Sequence, residues 1–347
     1  MKRSRLFFAS AAIAAGLSVC IAAGPASADA VADFYKGRTV TVVVPSGEGG
    51  MTALYARTVG DRLVGHIPGR PRVIYQYMPG GGGLKGANYC YNLAARDGTV
   101  ICEPVNAFVL LQVLLPKGIK YDAGKFGYVG SAADSNGSFV VWHTVKAKTL
   151  LDVRNEEIPL AGTGKGSESY YDPALVNALF GTRFKMVMGY KGGGALDLSM
   201  ERQETLGRAG PLLSWPVRKQ RWIDEGKIRF LAQVGLRKAA GFEKVPLLEE
   251  FARSDEERRM IRFISSRSAM GRPFVVPPGV PSDRLAALRT AFVATMTDAA
   301  FQSDIRKRRL TSDWRSGKEV EKIVGEMLAA PVPLVKKIRA TLGWDRK

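Results

Sequence analysis

The 347-residue chain is poor in the side chains that carry most enzyme chemistry. It has two histidines, His66 and His143, and neither stands at a metal-ligand spacing. It has no G-x-S-x-G elbow and no H-E-x-x-H. In "GTGKGSES" (162–169) Lys165 precedes Gly166, where a phosphate loop needs G-K-[ST]. The segments "GEGG", "PGGGGLKG" and "GTGKGS" all miss the G-x-G-x-x-G spacing of a dinucleotide loop. No nucleophile, base and orienting group are assembled, so no catalytic residue, metal or cofactor is expected.

Long apolar runs are also missing beyond the first thirty residues, which excludes a membrane span there. Those thirty, "MKRSRLFFASAAIAAGLSVCIAAGPASADA", pass from a basic start through an apolar stretch to two A-x-A sites. They read as a signal peptide cleaved near Ala28 or Ala30. A membrane anchor fits less well, because Gly and Ser break the apolar stretch. A lipoprotein would need a small residue before Cys20, and Val19 stands there. The mature chain is expected to be soluble and exported.

Only Cys90 and Cys102 remain after cleavage. In an oxidising compartment they form either a disulfide or a pair of small buried apolar residues. The net charge of +19 becomes +16 when Lys2, Arg3 and Arg5 leave with the signal. Apart from "RKRR" (306–309) the basic residues are scattered, which argues against nucleic acid. That cluster reads as a solvated helix face, with docking on an acidic partner as the alternative.

What the sequence does hold is glycine, in a repeated plan. A β-like run leads into a glycine-rich loop and then a helical segment, four times over. "TVTVVV" (39–44) precedes "PSGEGG", and "RVIYQ" (72–76) precedes Gly80–Gly83 and "LKGANYCYNLAA". "IPLA" (158–161) precedes "GTGKG" and "SESYYDPALVNALF", and "RFKMVMGYKGGGALDLSMERQE" (183–204) is the fourth. Alternation of this kind predicts α/β domains with largely parallel sheets. Ligands of such sheets sit beyond the carboxyl ends of the strands. Glycine loops followed by helix N-termini offer bare N–H donors and partial positive charge there, which suits an anion. The C-terminal third carries two amphipathic helices that read as core, one with Ser282 as N-cap and one with a Ser316/Glu319 capping box.

Five blocks in this order, "VTVVVPSGEGG", "QYMPGGGGLKGANY…ARDGT", "GTGKGSESY", "GYKGGGALDLSMERQE" and "VPPGVPSDRLAALRTAF", resemble the substrate-binding receptors of tripartite tricarboxylate transporters, the Bug receptors. The resemblance runs along essentially the whole mature chain. It implies a periplasmic, two-domain, type II-like Venus-flytrap fold with a ligand cleft between α/β domains. The implied role is capture of a small organic carboxylate by hinge closure and delivery to the transporter's membrane subunits. It implies a monomer that binds no nucleic acid and performs no chemistry. The domains are placed at 31–134 plus 269–347 and at 135–268. The crossings between them are expected near Gly130–Phe139 and Ile264–Pro273.

Carried over residue by residue, the first loop gives Ser46, Gly49, Gly50 and Thr52, and the second gives Gly81, Gly82 and Gly83. The third gives Gly166, Ser167 and Ser169, and the fourth gives Tyr190, Gly192 and Gly193. Tyr77 and Tyr170 stand where the family carries Asn and His, as pocket lining or plain wall, and Ala53 replaces an acidic residue. Lys85, Lys165 and Lys191 flank the loops as solvated residues or as partners of a second carboxylate. Arg208 is the stronger candidate for a bidentate carboxylate contact. The alternative is an exported α/β hydrolase acting on a small anion.

Overall fold

The computed structural model describes residues 25–115 and 117–345. Most of the expected signal peptide therefore lies outside the described residues. The chain runs through α1 (Pro25–Tyr35), β1 (Thr39–Val44), α2 (Met51–His66), β2 (Arg72–Tyr77), α3 (Leu84–Asn92), β3 (Val100–Cys102), α4 (Phe108–Leu114) and β4 (Gly127–Ser131). It crosses to a second sheet with β5 (Gly137–Trp142), β6 (Ile158–Gly162), α5 (Glu168–Phe180), β7 (Phe184–Met188), α6 (Gly193–Glu201), β8 (Gly207–Pro211), α7 (Ser214–Arg218), α8 (Gln220–Asp224), β9 (Ile228–Val234) and α9 (Asp255–Ser265). It returns with β10 (Pro273–Val276), α10 (Ser282–Thr297), α11 (Ala299–Lys307), β11 (Arg315–Ser316), α12 (Gly317–Leu328) and α13 (Val332–Thr341).

Two sheets result, with strand orders β11-β4-β10-β3-β1-β2 and β7-β6-β8-β5-β9. Each is mixed, which corrects the expectation of largely parallel sheets. β1 pairs in parallel with β2 and β3, and β6 with β7 and β8. β10 is antiparallel to β3 and β4, and β5 to β8 and β9. The reason lies in the connectivity. β5 and β10 each arrive from the other lobe, so they enter at the cleft end and run against strands whose carboxyl ends point there.

The passages between lobes occupy 132–136 and 271–272, and they pack against each other. Ala132 N donates to Arg272 O and Ser135 N to Ser268 O, both at 2.9 Å. Asp134 on the first passage is gripped from both lobes, by Arg237 at 2.9 Å and by Arg315. Behind the passages α13 packs on α4 of the first lobe and reaches α5 and α9 of the second. One apolar cluster accordingly runs through both lobes, from Phe108 and Leu111 to Phe139 and Leu175.

Local sequence explains the element ends. Ser316 caps α12 in a reciprocal capping box with Glu319. Ser282 is the first helical residue of α10 rather than its cap, because Pro281 already supplies the extended entry. Arg306–Arg309 are exposed, as expected of a solvated face.

Cys90 in α3 and Cys102 in β3 form a disulfide, which closes the choice left open by the sequence. With a separation of 12 residues, it removes about 3 kcal/mol of loop entropy from the unfolded chain. Reduction, or the double change C90S/C102S, should lower the unfolding temperature by a few degrees, read by calorimetry with and without reductant.

Candidate functional site

Four helices begin around one cavity of about 430 Å³ between the lobes. α2 and α3 come from the first lobe, α5 and α6 from the second. The N-caps of α2, α3 and α6 are Gly50, Gly83 and Gly192, and none supplies a side-chain cap. Their first N–H groups are left without intrahelical partners and carry the positive ends of the helix dipoles. Only α5 is self-capped, with Ser167 Oγ accepting from Ser169 N at 3.2 Å.

The lobes meet beside this cavity backbone to backbone. On one side Gly47 N donates to Lys191 O at 3.3 Å. On the other, Gly82, at φ +71°, lies so close to the third loop that a Cβ there would sit 2.6 Å from Gly166 C and Ser167 N. A Cβ on Gly164 would sit 2.7 Å from Gly82 N. The glycine loops thus have a use beyond ligand approach: their missing side chains let the lobes close on each other.

Most of the residues taken from the sequence line this cavity: Ser46, Gly50, Thr52, Gly82, Gly83, Ser167, Ser169, Tyr190, Gly192, Gly193 and Arg208. Four do not. Gly49 and Gly81 stand in the loops but belong to the contacts between lobes, and Gly166 lines only a smaller cavity of about 50 Å³ behind Thr52. Tyr77 ends the edge strand β2, where its hydroxyl accepts from Arg57 Nη1 at 2.8 Å. Tyr170 packs on the core rather than on the cavity.

Charge enters the wall from the second lobe alone. The first lobe offers Pro, Ser, Gly, Met, Thr and Val, whereas the second offers Lys191, Arg208, Arg218 and Glu168. Arg208 is almost fully buried, stacked 4.1 Å from the Trp215 ring centroid. Its Nε donates to Asp197 Oδ1 at 2.9 Å and its Nη2 to Ser214 Oγ at 2.8 Å. Arg218 Nη2 reaches the other Asp197 oxygen at 3.5 Å. One buried carboxylate therefore orients two guanidinium groups on the cavity wall and leaves the pair net positive. Arg208 is more a structural anchor than the free fork expected of it, and Arg218 and Lys191 are the more open cations. Arg218 was not anticipated: "WPVRKQR" reads as an ordinary basic surface run, and only the turn after β8 brings it to α6.

Behind the cavity lies a buried polar layer. Arg272 Nη1 donates to Thr52 Oγ1 at 3.3 Å, and its guanidinium lies 5.1 Å from the Tyr55 ring centroid. Glu103, 1% exposed, is pushed well above the usual carboxylate range by burial, against the pull of Arg272. Arg267, in the turn Ser266–Met270 just before the return passage, donates from Nη2 to Asp172 Oδ2 at 2.6 Å, and Glu168 Oε2 stands 3.5 Å from the same nitrogen. Burial pushes Asp172 up to about 7, with Glu168 adding to the rise and Arg267 opposing it.

No family model matches the chain. The "UPF0065 protein in gbd 5'region" of Cupriavidus necator is 24% identical over 345 residues, 96% of this chain and 97% of its own. Among solved structures, the periplasmic binding protein BugD matches with a TM-score of 0.71 at 17% identity, over 88% of this chain and 98% of BugD. MatC from Rhodopseudomonas palustris with bound malate matches with a TM-score of 0.67 at 18% identity, over 88% and 99%. The fold is that of a periplasmic binding protein. In that fold the two sheets belong to the two lobes, 132–136 and 271–272 join them, and the glycine-lined cavity lies between them.

Two outcomes follow. Gly164→Ala leaves the loop's own backbone conformation accessible but sets a methyl against Gly82 N. It should shift the protein toward an open form with a larger radius of gyration by X-ray scattering. Gly194→Ala, with its nearest atom at 3.5 Å, should not. For Asp172, the folded carboxyl holds a proton between about 3.8 and 7 that the unfolded chain has lost. Its contribution to stability is full below that window and is lost as pH rises through 7. The unfolding temperature of the wild type should therefore fall more steeply from pH 5 to 7.5 than that of Asp172→Asn.

Proposed function

We propose that this chain is the periplasmic receptor of a tripartite tricarboxylate transporter, capturing a small organic carboxylate between its lobes and delivering it to the membrane subunits. The observation that carries this reading is the convergence of α2, α3, α5 and α6 on one cleft. Three of these helices are capped by bare glycine, and the wall adds Lys191, Arg208 and Arg218. Helix N-termini and guanidinium groups favour an oxyanion of carboxylate shape. The relatives agree in kind: BugD is described as a periplasmic binding protein and MatC holds malate.

In this reading the amides of Gly50 and Gly82 and the hydroxyls of Thr52, Ser167 and Ser169 hold one carboxylate, whereas Gly83 N and Ser167 N already donate to Gly80 O at 2.9 Å and Gly164 O at 3.0 Å and shape the loops instead. Lys191 and Arg218 set the charge preference, and Tyr190, Gly192 and Gly193 complete the fourth loop. Domain one comprises 31–134 with 269–347 and domain two 135–268, and the receptor works as a monomer after loss of its signal peptide. Among the described residues no helix is long and apolar enough to cross a membrane. A hydrolase would need an activated nucleophile at the cavity. Ser46 Oγ is bonded to Gly47 O, and Ser167 and Ser169 share a hydrogen bond, with neither histidine on the wall.

Thermal unfolding against mono-, di- and tricarboxylates, with phosphate and sugar controls, tests the proposal. A carboxylate at a hundredfold excess over its Kd should stabilise the fold by about 2.7 kcal/mol, a shift of a few degrees. Shifts with sugars or phosphate esters alone, or turnover of an ester, would overturn it. Arg218→Ala keeps the Arg208–Asp197 pair and should weaken carboxylate binding about 10- to 100-fold by calorimetry, the size of one charged hydrogen bond.

A further inference from the structure

The basic run Arg306–Arg309 has more beside it than a solvated helix end needs. Next to it α2 and α11 enclose a groove of about 380 Å³ that shares no lining residue with the interlobe cavity. Its charged residues are Arg57, Arg62 and Arg308 against Asp61 and Asp304, a surplus of one positive charge. Both carboxylates are already engaged: Asp61 accepts from the Tyr75 hydroxyl at 2.6 Å, and Asp304 pairs with Arg308 at 2.9 Å. Arg62 has only Asp298, at 3.9 Å, a distance at which an exposed pair is worth little. Arg57 meets neutral acceptors alone, the Tyr77 hydroxyl at 2.8 Å and Glu48 O at 3.4 Å. Thr58, which also lines the groove and is 7% exposed, has an Oγ1 that is buried without a hydrogen-bond partner among the described residues.

Next along the chain Arg306, Lys307 and Arg309 are exposed, and of the basic run Arg308 alone has a carboxylate partner among the described residues. The negative end of α11 favours nearby cations, but it does not account for Arg57, halfway along α2. Arg309 closes α11 at φ +57°, where glycine or asparagine is usual. From there its Nη1 donates across the lobes to Gln220 Oε1 at 3.4 Å, and Leu213 and Val217 of the second lobe pack on the apolar cluster that holds Phe301 and Ile305. The groove therefore ends against the second lobe. Its shape separates two kinds of anionic partner. A flat bilayer surface reaches the exposed rim, whereas a single acidic side chain reaches Arg57 and Arg308 inside. Accepting the receptor reading, which supplies the membrane subunits, we infer that the α2–α11 groove and its basic rim are the docking site for an acidic segment of a membrane subunit.

Fluorescence anisotropy of a labelled hexaglutamate peptide on the purified protein tests this. The peptide should bind with a Kd below about 1 mM at low salt and weaken as salt is added. Arg308→Gln/Arg309→Gln should weaken it at least tenfold. Lys318→Gln/Lys322→Gln, which removes the same charge from exposed positions of α12, should change it less than twofold. Equal weakening by the two double variants, or no binding to the wild type, overturns the inference. So does binding of phosphatidylglycerol vesicles that depends on Arg308 and Arg309 while the peptide fails to bind, since the partner would then be a membrane. The carboxylate panel on the same samples keeps the two readings apart. Unfolding shifts with carboxylates that persist in Arg308→Gln/Arg309→Gln leave the receptor reading standing whatever the peptide does. A peptide pattern as expected with no carboxylate shift in any sample keeps the acidic docking site and overturns its assignment to a transporter.

Discussion

The approach of Gly82 to the third loop, main chain against main chain, is the constraint on which the rest of this molecule turns. Where two lobes meet through side chains, their separation follows whatever rotamers are available. Here it is fixed by the van der Waals radii of backbone atoms at Gly82, Gly164 and Gly166. That spacing brings four helix starts around one volume. The packing of the loops therefore sets the geometry of the cleft: widening the contact by a methyl group would move the helix starts of one lobe away from those of the other.

Much of this was legible in the chain itself. β1 spans the valine run read as a strand, β6 and α5 follow the glycine-punctuated segment read that way, and the Ser316/Glu319 box caps its helix as the spacing required. Glycine loops announce themselves because few other roles explain runs of residues with no side chain. Pairings across the chain do not. Asp197 and Arg208 sit on a helix and the strand after it, and nothing in "DLSMERQETLGRAG" distinguishes the pair from solvated charges. Arg218 lies on a short helix whose direction depends on how Trp215 packs under Arg208. Tyr77, open from the resemblance as pocket lining or plain wall, sits at the end of an edge strand that turns it to Arg57. The mixed sheets escaped the periodicity for a similar reason, because strand direction is decided by which lobe the chain has just left.

The hinge region shows a different balance. Buried polar and charged groups such as Arg267, Asp172 and Arg272 rarely repay their desolvation, and a well-packed apolar layer often does as well or better. Their presence where the passages cross fits a place in which the two lobes must find one register. Apolar side chains slide past one another at little cost, whereas a guanidinium wedged under Gly137 has one position that satisfies it. Asp134, held by Arg237 from one lobe and Arg315 from the other, adds the same kind of indexing at the outer edge. α13, packed on both lobes behind the hinge, limits the direction in which they part.

The unequal charge of the two walls has a practical meaning for anyone wishing to redirect this scaffold. The first lobe supplies loops, hydroxyls and helix ends with no ionisable group on the cavity, a generic half-mould for an oxyanion. Every charged side chain on the wall comes from one stretch of chain, between Glu168 and Arg218. Exchanging that one stretch, while keeping the partner half and the glycine contacts, would amount to changing a lens and leaving the camera body in place.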